Sequence, residues 1–320
     1  MKAVVIGGCG HIGTYLVPML VHYGFEVINV SRGLSKPYTP HAAWKEVRHI
    51  TMDRNTAEAE GVFGKKIADL NPDVVIDLPV FELSSVQQMV EALKGTNLTH
   101  YLYCSSIWAH GHATVVPAPE DLLPRHPIEE YGRQKYASEM YLHDQYRRFG
   151  FPETVVMPGH ITGPGWNFIT PCGNLDPMTF QRIGRGEKIV LANAGMETIH
   201  NVHAEDVAQV FMKSITHRNQ ALGESFHATA PFAMTMLGAA EGMFEWFGQE
   251  PNIDFLPWEE WKAYTKDQGF INSTYSHIYH SDNYSIEKGR RLLEYQPRYT
   301  ILEAMQDGVR SMIERKVISI

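Results

Sequence analysis

Cysteine is scarce in this sequence of 320 residues, which contains only Cys9, Cys104 and Cys172. No two of them form a Cys-x-x-Cys pair, so neither a disulfide framework nor a cysteine-based zinc site is expected. Long hydrophobic runs are also absent, since no stretch approaches the roughly 18 apolar residues that a membrane-spanning helix needs. The first residues lead into a strand-like segment without a cleavable leader, so we expect a soluble cytoplasmic protein.

Positive charge is in short supply as well. The chain has 28 Lys and Arg against 36 Asp and Glu, a formal net charge of −8. Nucleic-acid-binding proteins usually carry a basic surplus, so nucleic acid is not an expected partner. A hydrophobic share of 44% and a charged share of 20% are near the globular average, which excludes disorder. Histidine, by contrast, is abundant at 16 residues, and this raises the question of a metal site.

Strand-like and helix-like segments alternate through the first half of the sequence. Short apolar runs predict six strands, at Ala3–Ile6, Glu26–Val30, Val47–Met52, Asp73–Leu78, Tyr101–Ser105 and Thr154–Met157. Helical patterns separate most of them, at Thr14–His22, Ala57–Leu70, Ser84–Leu93 with Ser84 as a plausible N-cap, and Ile128–Phe149. This order predicts an α/β fold with a doubly wound parallel sheet, the Rossmann fold.

The pattern becomes less regular after residue 160, where glycine, proline and aromatic residues are frequent. We expect residues 1–160 to form a dinucleotide-binding domain, to which segments near 204–230 return. The segments 161–203 and 231–320 are expected to form most of a smaller substrate-binding lobe.

A glycine-rich turn follows the first predicted strand. It reads Gly7-Gly8-Cys9-Gly10-His11-Ile12-Gly13 and fits the Gly-x-Gly-x-x-Gly fingerprint as well as its three-spacer relative. Glycine permits a tight turn and close approach of the backbone to a pyrophosphate, while the following helix N-terminus supplies N–H donors. A dinucleotide cofactor is therefore predicted, against the alternative of a structural glycine turn.

The residues after the second strand bear on cofactor choice. An acidic residue there would bind the ribose hydroxyls of NAD, but this chain has Ser31 and Arg32, which suit a 2′-phosphate. NADP is therefore favoured over NAD, the alternative being that Arg32 is an exposed loop residue. Asp53, at the end of the third strand, is placed to contact the adenine amino group, or else simply forms a turn before Arg54.

The long predicted helix Ile128–Phe149 contains a Tyr-x-x-x-Lys pair. Tyr131 and Lys135 lie one turn apart and share a face. A nearby lysine and a cationic nicotinamide ring favour the phenolate, so Tyr131 is a candidate proton donor or acceptor during hydride transfer. Ser105 and Ser106 stand at the carboxyl end of the fifth strand, where ligands bind in such sheets, or else cap the strand end.

These motifs resemble those of the extended short-chain dehydrogenase/reductases, in an atypical form of the NAD-dependent epimerase/dehydratase family. The family's motifs match Gly7/Gly10/Gly13, Ser105-Ser106 through Gly111, Pro127 through Lys135 with Glu139, Met157–Gly165, His203–Val207, Ser285–Lys288 and Leu293–Pro297. The resemblance covers nearly the whole chain.

The resemblance implies site residues and an assembly. Ser106, Tyr131 and Lys135 are expected to be catalytic. Cofactor contacts are expected at Gly7, Gly10, His11, Ile12, Gly13, Ser31, Arg32, Asp53, Leu78, Ser105, Tyr131, Lys135, Pro158 and His160. Ser106, His160 and Trp166 are expected to contact a small-molecule substrate. Helices near 84–94 and 130–149 correspond to those that pair family members, which implies a homodimer.

Two departures from the family pattern concern the substrate. Ile199 stands where nucleotide-sugar members usually carry an arginine, and Ser273–Asn283 contains no arginine. A nucleotide diphosphate would lack its partners there, so a nucleotide sugar is disfavoured. Ile107-Trp108 replaces the Asp-Glu that follows the catalytic hydroxyl in dehydratases, so dehydration is disfavoured too.

Most histidines are interpreted as structural. His110-Gly111-His112 has an alternating spacing that suits a metal, but it has no carboxylate or cysteine partner at ligand spacing, so no metal is expected. His200 and His203 are expected to be hydrogen-bonded, and His277 and His280 are candidates for the pocket wall. Trp166, Phe168, Trp258 and Trp261 suit an apolar pocket wall or the core of the lobe equally well.

Three functions compete. The first is an NAD(P)-dependent oxidoreductase or epimerase acting on a hydroxyl or carbonyl of a small, sugar-like molecule. The second is a non-catalytic cofactor-binding sensor, which would not need Tyr131, Lys135 and Ser106. The third, association with RNA, is disfavoured by the net charge.

Overall fold

The computed structural model describes all residues from 1 to 320. Its strands are β1 (Lys2–Ile6), β2 (Glu26–Ser31), β3 (Arg48–Thr51), β4 (Val74–Asp77), β5 (His100–Cys104), β6 (Glu153–Pro158), β7 (His160–Thr162), β8 (Ile189–Ala192), β9 (Thr198–Ile199), β10 (Asn201–His203), β11 (Ser225–Ala228), β12 (Met234–Thr235) and β13 (Ile253–Leu256).

Thirteen α-helices accompany these strands. They are α1 (Gly13–His22), α2 (Arg54–Ala59), α3 (Phe63–Ala68), α4 (Leu83–Leu93), α5 (Glu130–Phe149), α6 (Met178–Gly184), α7 (Ala204–Thr216), α8 (Arg218–Ala221), α9 (Met236–Trp246), α10 (Trp258–Thr265), α11 (Gln268–His280), α12 (Glu287–Leu293) and α13 (Ile301–Glu314). None of them is both long and apolar enough to cross a bilayer.

The central sheet has seven parallel strands in the order β11-β6-β5-β4-β1-β2-β3. All six strands predicted from the sequence are present in it, and β11 adds the seventh. The α/β, doubly wound fold is therefore confirmed. Strand order reverses between β1 and β4, so the connections after these two strands diverge to opposite halves of the sheet. A crevice opens at such a reversal, on the side where the strands end, and ligands bind there in folds of this kind.

Two details of the predicted helices are wrong. The single helix predicted over Ala57–Leu70 is two short helices, α2 and α3, because Gly61 between them has a φ of +71° that helical residues do not adopt. Ser84 is not an N-cap, since α4 starts one residue earlier and its N-cap position is held by Glu82, whose side chain makes no capping bond.

Separate hydrophobic cores cover the two faces of the sheet. Val5 of β1 packs in a core that includes Leu16 of α1 and Phe211 of α7. Its neighbour Val4 points to the other face, into a core with Met89 of α4. Strands buried on both faces explain the continuous apolar runs in the sequence.

A further core lies in the smaller lobe. The strand pairs β7–β10, β9–β12 and β8–β13 belong to this part of the chain, together with α6, α9 and α13. Phe180, Phe244 and Met305 are fully buried in its core. The lobe therefore has its own apolar interior beside the carboxyl edge of the sheet.

Candidate active site

Two adjoining cavities occupy the carboxyl edge of the sheet at the reversal of strand order. Their volumes are about 340 and 410 Å³. Both are lined by Gly7, Gly10, Tyr38, Pro79 and Phe81, so these residues lie where the two cavities meet. The result is one elongated cleft with two chambers, a shape that suits a dinucleotide.

The glycine turn forms the floor shared by both chambers. Gly7 has a φ of +80° and its N–H donates to the carbonyl of Val30, which closes the turn onto β2. A Cβ on Gly10 would meet only the carbonyl oxygen of Gly7, at 3.3 Å, so the α-carbon of Gly10 faces the cleft. A Cβ on Gly13 would lie 2.1 Å from the carbonyl oxygen of Gly8. Gly10 thus leaves room for a ligand, whereas Gly13 allows α1 to pack against the turn.

The first chamber lies at the ends of β2 and β3. Ser31, Arg32 and Asp53 line it, as does Arg54. Arg54 is already neutralised, because its guanidinium is 2.5 Å from the buried carboxylate of Asp77 and also pairs with Glu58. Arg32 is exposed and makes no ion pair. Arg32 is therefore the unpaired cation of this chamber.

Asp53 also has a structural role. Its carboxylate accepts a hydrogen bond from the Thr56 N–H at 2.9 Å and caps α2. That bond, helped by Arg32, lowers the pKa of Asp53. Asp53 therefore has the turn-forming role that was the alternative to adenine contact, and it also lines the first chamber.

The second chamber brings the proposed catalytic residues together. Ser106, Tyr131 and Lys135 all line it, beside the glycine turn. Tyr131 is 37% exposed as a whole residue, while its hydroxyl lies further in, where it interacts with the Ser106 hydroxyl. Lys135 is buried, and its ammonium donates to the carbonyl oxygens of Val80 at 2.5 Å and Cys104 at 2.7 Å. These two bonds hold the ammonium beneath the Tyr131 ring, 5.6 Å from its centroid.

The protonation states follow from burial. Desolvation raises the pKa of Tyr131 to about 12, and interaction with the Ser106 hydroxyl offsets only part of this rise. Burial lowers the pKa of Lys135 to about 8. In the absence of other charges, Tyr131 is therefore a neutral phenol at pH 7 and most Lys135 side chains are cationic.

A buried network beneath the site fixes the end of β5 to α5. The Ser105 hydroxyl donates to the Glu139 carboxylate at 2.5 Å, and Arg125 pairs with the same carboxylate at 2.6 Å. Glu139 and Arg125 are both buried. Ser105 is thus committed to this network, while the adjacent Ser106 accepts a hydrogen bond from the Trp108 N–H at 3.2 Å and keeps its own O–H to donate in the chamber. Glu139 matches the helical acid of the family's motif, whereas no local signal in the sequence points to Arg125.

Asp282 is a second residue that the sequence analysis missed. It is buried between α11 and α12, and one oxygen accepts a hydrogen bond from the Trp108 indole N–H at 3.1 Å. The His160 Nε2 lies 3.1 Å from the same oxygen. Trp108 stacks on His280 at 4.4 Å and stands edge-on to Tyr131 at 6.3 Å. These aromatic groups therefore adjoin the proposed catalytic residues.

The remaining predicted contacts divide into two groups. His11, Ile12, Leu78, Ser105 and Pro158 line the second chamber. Gly13, His160 and Trp166 line neither chamber. Trp166 is buried and stacks on His11 at 4.0 Å, close to Tyr38, which has an exposed ring at the junction of the chambers. Trp166 thus packs against the back of the glycine turn.

The other histidines considered as metal ligands or structural residues make internal contacts. His110 pairs with His227 at 2.8 Å between their Nε2 atoms, while His112 packs on Tyr279 instead. His200 bonds the carbonyl of Ala230. No group of three or more His, Cys, Asp or Glu side chains in the structure is arranged to hold a metal ion.

The comparisons with known proteins fit this geometry. The sequence model of the NAD dependent epimerase/dehydratase family matches residues 3–228. The chain belongs to this family. The resemblance inferred from the glycine turn and the Tyr-x-x-x-Lys pair is therefore confirmed, and so is the class of NAD(P)-dependent oxidoreductase or epimerase. Family membership covers the sheet and both chambers of the cleft.

Relatives within the epimerase/dehydratase family are distant in sequence. The chain is 25% identical to the chloroplast stem-loop binding protein of 41 kDa b from Arabidopsis thaliana, over 96% of this chain and 78% of that protein. It is 24% identical to the 2′-dehydrokanamycin reductase of Streptomyces kanamyceticus, over 86% of this chain and 74% of the reductase.

Solved structures share the fold. UDP-glucose 4-epimerase from Thermotoga maritima superposes with a TM-score of 0.75 at 19% identity, covering 99% of this chain and 100% of the epimerase. A dTDP-glucose 4,6-dehydratase from Bacillus anthracis superposes with a TM-score of 0.75 at 16% identity, covering 99% of this chain and 98% of that one. At these identities the likeness concerns the fold alone.

Proposed function

We propose that this protein is an NADP(H)-dependent oxidoreductase that reduces a carbonyl, or oxidises a hydroxyl, of a small sugar-like molecule. The observation that carries the proposal is the convergence of Ser106, Tyr131 and Lys135 on one chamber beside the glycine turn. A cofactor-binding sensor would have no use for a phenol and a serine hydroxyl facing the same chamber.

The chain's own residues fit a dinucleotide cofactor. Gly10 leaves space at the turn, and the N–H groups of His11, Ile12 and Gly13 at the start of α1 have no carbonyl partner and are available to a pyrophosphate. Ser31 and the unpaired Arg32 suit a 2′-phosphate, which is why we favour NADP over NAD. A bound nicotinamide supplies or accepts the hydride. Lys135 keeps one ammonium N–H beyond its two carbonyl bonds, available to a cofactor hydroxyl.

Tyr131 carries the proton in this proposal. As a neutral phenol it donates a proton to a carbonyl oxygen that receives a hydride on its carbon, and Ser106 holds the same oxygen by a hydrogen bond. The reverse reaction needs the phenolate, which the cation of Lys135 and a bound cationic ring favour. A phenol with a pKa of about 12 therefore suits the reductive direction in the free protein.

The lining of the second chamber argues for a substrate without a diphosphate. Lys135 is the only Lys or Arg that lines it, and its ammonium is held by two carbonyls. Ile199 is fully buried in the core of the lobe, so this position offers no anion contact. A diphosphate would have no arginine to pair with here. We therefore favour a small sugar derivative over a nucleotide sugar.

Tyr131→Phe tests the proposal. We expect carbonyl reduction to fall by about 10²–10⁴-fold, because the proton donor is lost, while NADPH binding stays unchanged. Tyr141→Phe on the same helix is the matched control, since its hydroxyl makes only a weak bond to Glu91. NADPH oxidation is followed across a panel of keto sugars, and each product is checked for inverted configuration. Undiminished turnover in Tyr131→Phe would remove Tyr131 from the role assigned to it.

The similarity to a stem-loop binding protein does not lead us to propose RNA binding. The formal net charge of −8 opposes contact with phosphates. We expect no mobility shift of a stem-loop RNA at physiological salt, and a specific shift would contradict this part of the proposal.

A further inference from the structure

A polar cluster adjoins the second chamber at its lobe side. Trp108 and His160 belong to it. Neither lines the chamber itself, but Ser106, two residues before Trp108, and Gly159 and Ile161, on either side of His160, do line it. His277 and His280 of α11 and Asp282 complete the cluster, and all three are buried. Because α11 lies in the lobe and not among the helices that connect the strands of the central sheet, His277 and His280 reach the site from the lobe.

Several polar atoms of this cluster have no hydrogen-bond partner in the protein. They are Nδ1 and Nε2 of His160, Nε2 of His280 and Oδ1 of Asp282, four of the sixteen such atoms in the whole chain. The Nε2 of His160 is within ion-pair distance of Asp282 but is poorly aligned for a hydrogen bond. Buried polar groups without partners are unfavourable, and their concentration at one place points to a polar ligand.

The rings of His277 and His280 are held in fixed orientations. The Nδ1–H of His277 donates to the carbonyl of Ser273 at 2.7 Å, and that of His280 donates to the carbonyl of Ser276 at 2.8 Å. With Nδ1–H donating, the neutral form of each ring carries its acceptor on Nε2. Such Nε2 acceptors lie beside the Trp108 indole, whose N–H is bonded to Asp282, and they can receive hydrogen bonds from hydroxyl or ammonium groups of a ligand.

Asp282 gives the cluster a negative charge. It has no Lys or Arg partner, and its one ion-pair contact is His160. Although burial alone would raise it, the pKa of Asp282 is lowered to about 2, chiefly by the adjacent His160 ring. Burial lowers the pKa of His277 to about 3, so this ring is neutral at pH 7. The carboxylate is thus ionised, and His160 is its one ion-pair contact.

We propose that Asp282, Trp108, His160 and His280 form the substrate subsite, which binds a neutral or cationic polyhydroxylated ring and rejects an anionic one. Trp108 is the apolar wall, and the acceptors of the cluster receive hydroxyl or ammonium donors of the ring. The buried carboxylate attracts an ammonium group and repels a carboxylate or phosphate. This inference rests on the proposed function, because the ring bound here is the one that Tyr131 protonates.

Three sugars that share a ring but differ in charge test the subsite: glucose, glucosamine and glucuronate. Binding to the full-length protein is measured by titration calorimetry at pH 7 with and without NADP⁺. We expect wild type to bind glucosamine best and glucuronate worst, with about tenfold or more between them. Asp282→Asn should reduce that ratio to nearly one, while Asp254→Asn, which removes an exposed charge paired with Lys188, should leave it unchanged.

Trp108→Phe provides a second variant if Asp282→Asn does not fold. It removes the indole N–H but keeps an aromatic ring, and we expect it to weaken all three sugars while NADP⁺ affinity stays the same. Equal binding of the sugars to wild type, no binding of any, or an unchanged order in Asp282→Asn would overturn the subsite. The expected order without any reduction of keto sugars would contradict the proposed function instead. Turnover that depends on Tyr131 without any charge preference would contradict the subsite alone.

Discussion

Gly10→Ala should separate cofactor binding from folding. The backbone at Gly10 is not in the left-handed region, and the added Cβ would touch only one carbonyl oxygen, at 3.3 Å. Replacing glycine where the backbone permits it stabilises a fold by about 0.4–1 kcal/mol; the tight contact with the Gly7 carbonyl oxygen offsets this gain, so the variant should unfold close to the wild-type temperature. The methyl group would, however, project into the cleft.

The expected loss of affinity follows from the bonds that this methyl group would disturb. A hydrogen bond from a helix N–H to a charged phosphate contributes about 1.5–3 kcal/mol, so losing one weakens NADPH by about 10–100-fold. Gly13→Ala is the matched comparison, because its Cβ would lie 2.1 Å from the Gly8 carbonyl oxygen and should lower the melting temperature. Thermal unfolding with and without NADPH measures both effects. Unchanged NADPH affinity in a folded Gly10→Ala protein would refute the assignment of the turn to the pyrophosphate.

Three further predictions concern charge. Arg32→Ala should weaken NADPH more than NADH in direct titrations, and equal losses would remove the basis for preferring NADP. Arg125→Met leaves the buried Glu139 carboxylate without its partner and should cost about 3–5 kcal/mol in urea unfolding; a loss below 1 kcal/mol would show that water compensates the charge. The free energy of unfolding should fall as the pH drops below about 6.5, by roughly 1.4 kcal/mol per pH unit for each histidine that is buried and neutral. Burial lowers the pKa of His200 to about 4 and those of His227 and His277 to about 3, so the unfolded chain takes up protons there that the folded protein does not. Burial raises the pKa of Glu120 to about 7, that of Asp206 to about 6 and that of Glu153 as well, so these three carboxyls oppose the trend but are fewer than the buried neutral histidines of the whole chain; a flat stability profile between pH 7 and 5 would contradict the expectation.

Local patterns in the sequence were enough to predict the cofactor half of the molecule. The strands are apolar runs, the glycine turn is contiguous, and Tyr131 and Lys135 are one helical turn apart, so each signal lies within a few residues. The break at Gly61 was visible as a glycine, but only its positive φ shows that the helix ends there.

The substrate end could not be predicted in the same way. Trp108 and Asp282 are separated by 174 residues, and neither belongs to a motif that points to the other. Their hydrogen bond exists because the lobe folds back onto the connection between β5 and α5, in which the N–H of Ala118 also bonds the carbonyl of Asn283. The position of His160 directly after β6 identifies it as a candidate, but its partner Asp282 is brought to it only by this tertiary contact.

The distance along the chain between Trp108 and Asp282 also determines how long after Trp108 the ribosome makes its hydrogen-bond partner. A ribosome adding about 5–20 residues per second needs roughly 10–35 s to pass from one residue to the other. Throughout that interval the nascent chain already contains the glycine turn and, soon after, Tyr131 and Lys135, yet Trp108 has no carboxylate to hold it. The residues that line the cleft are thus made before the carboxylate that anchors Trp108, although the core beneath the cleft also needs Ile286, Leu293 and Tyr295, which follow Asp282.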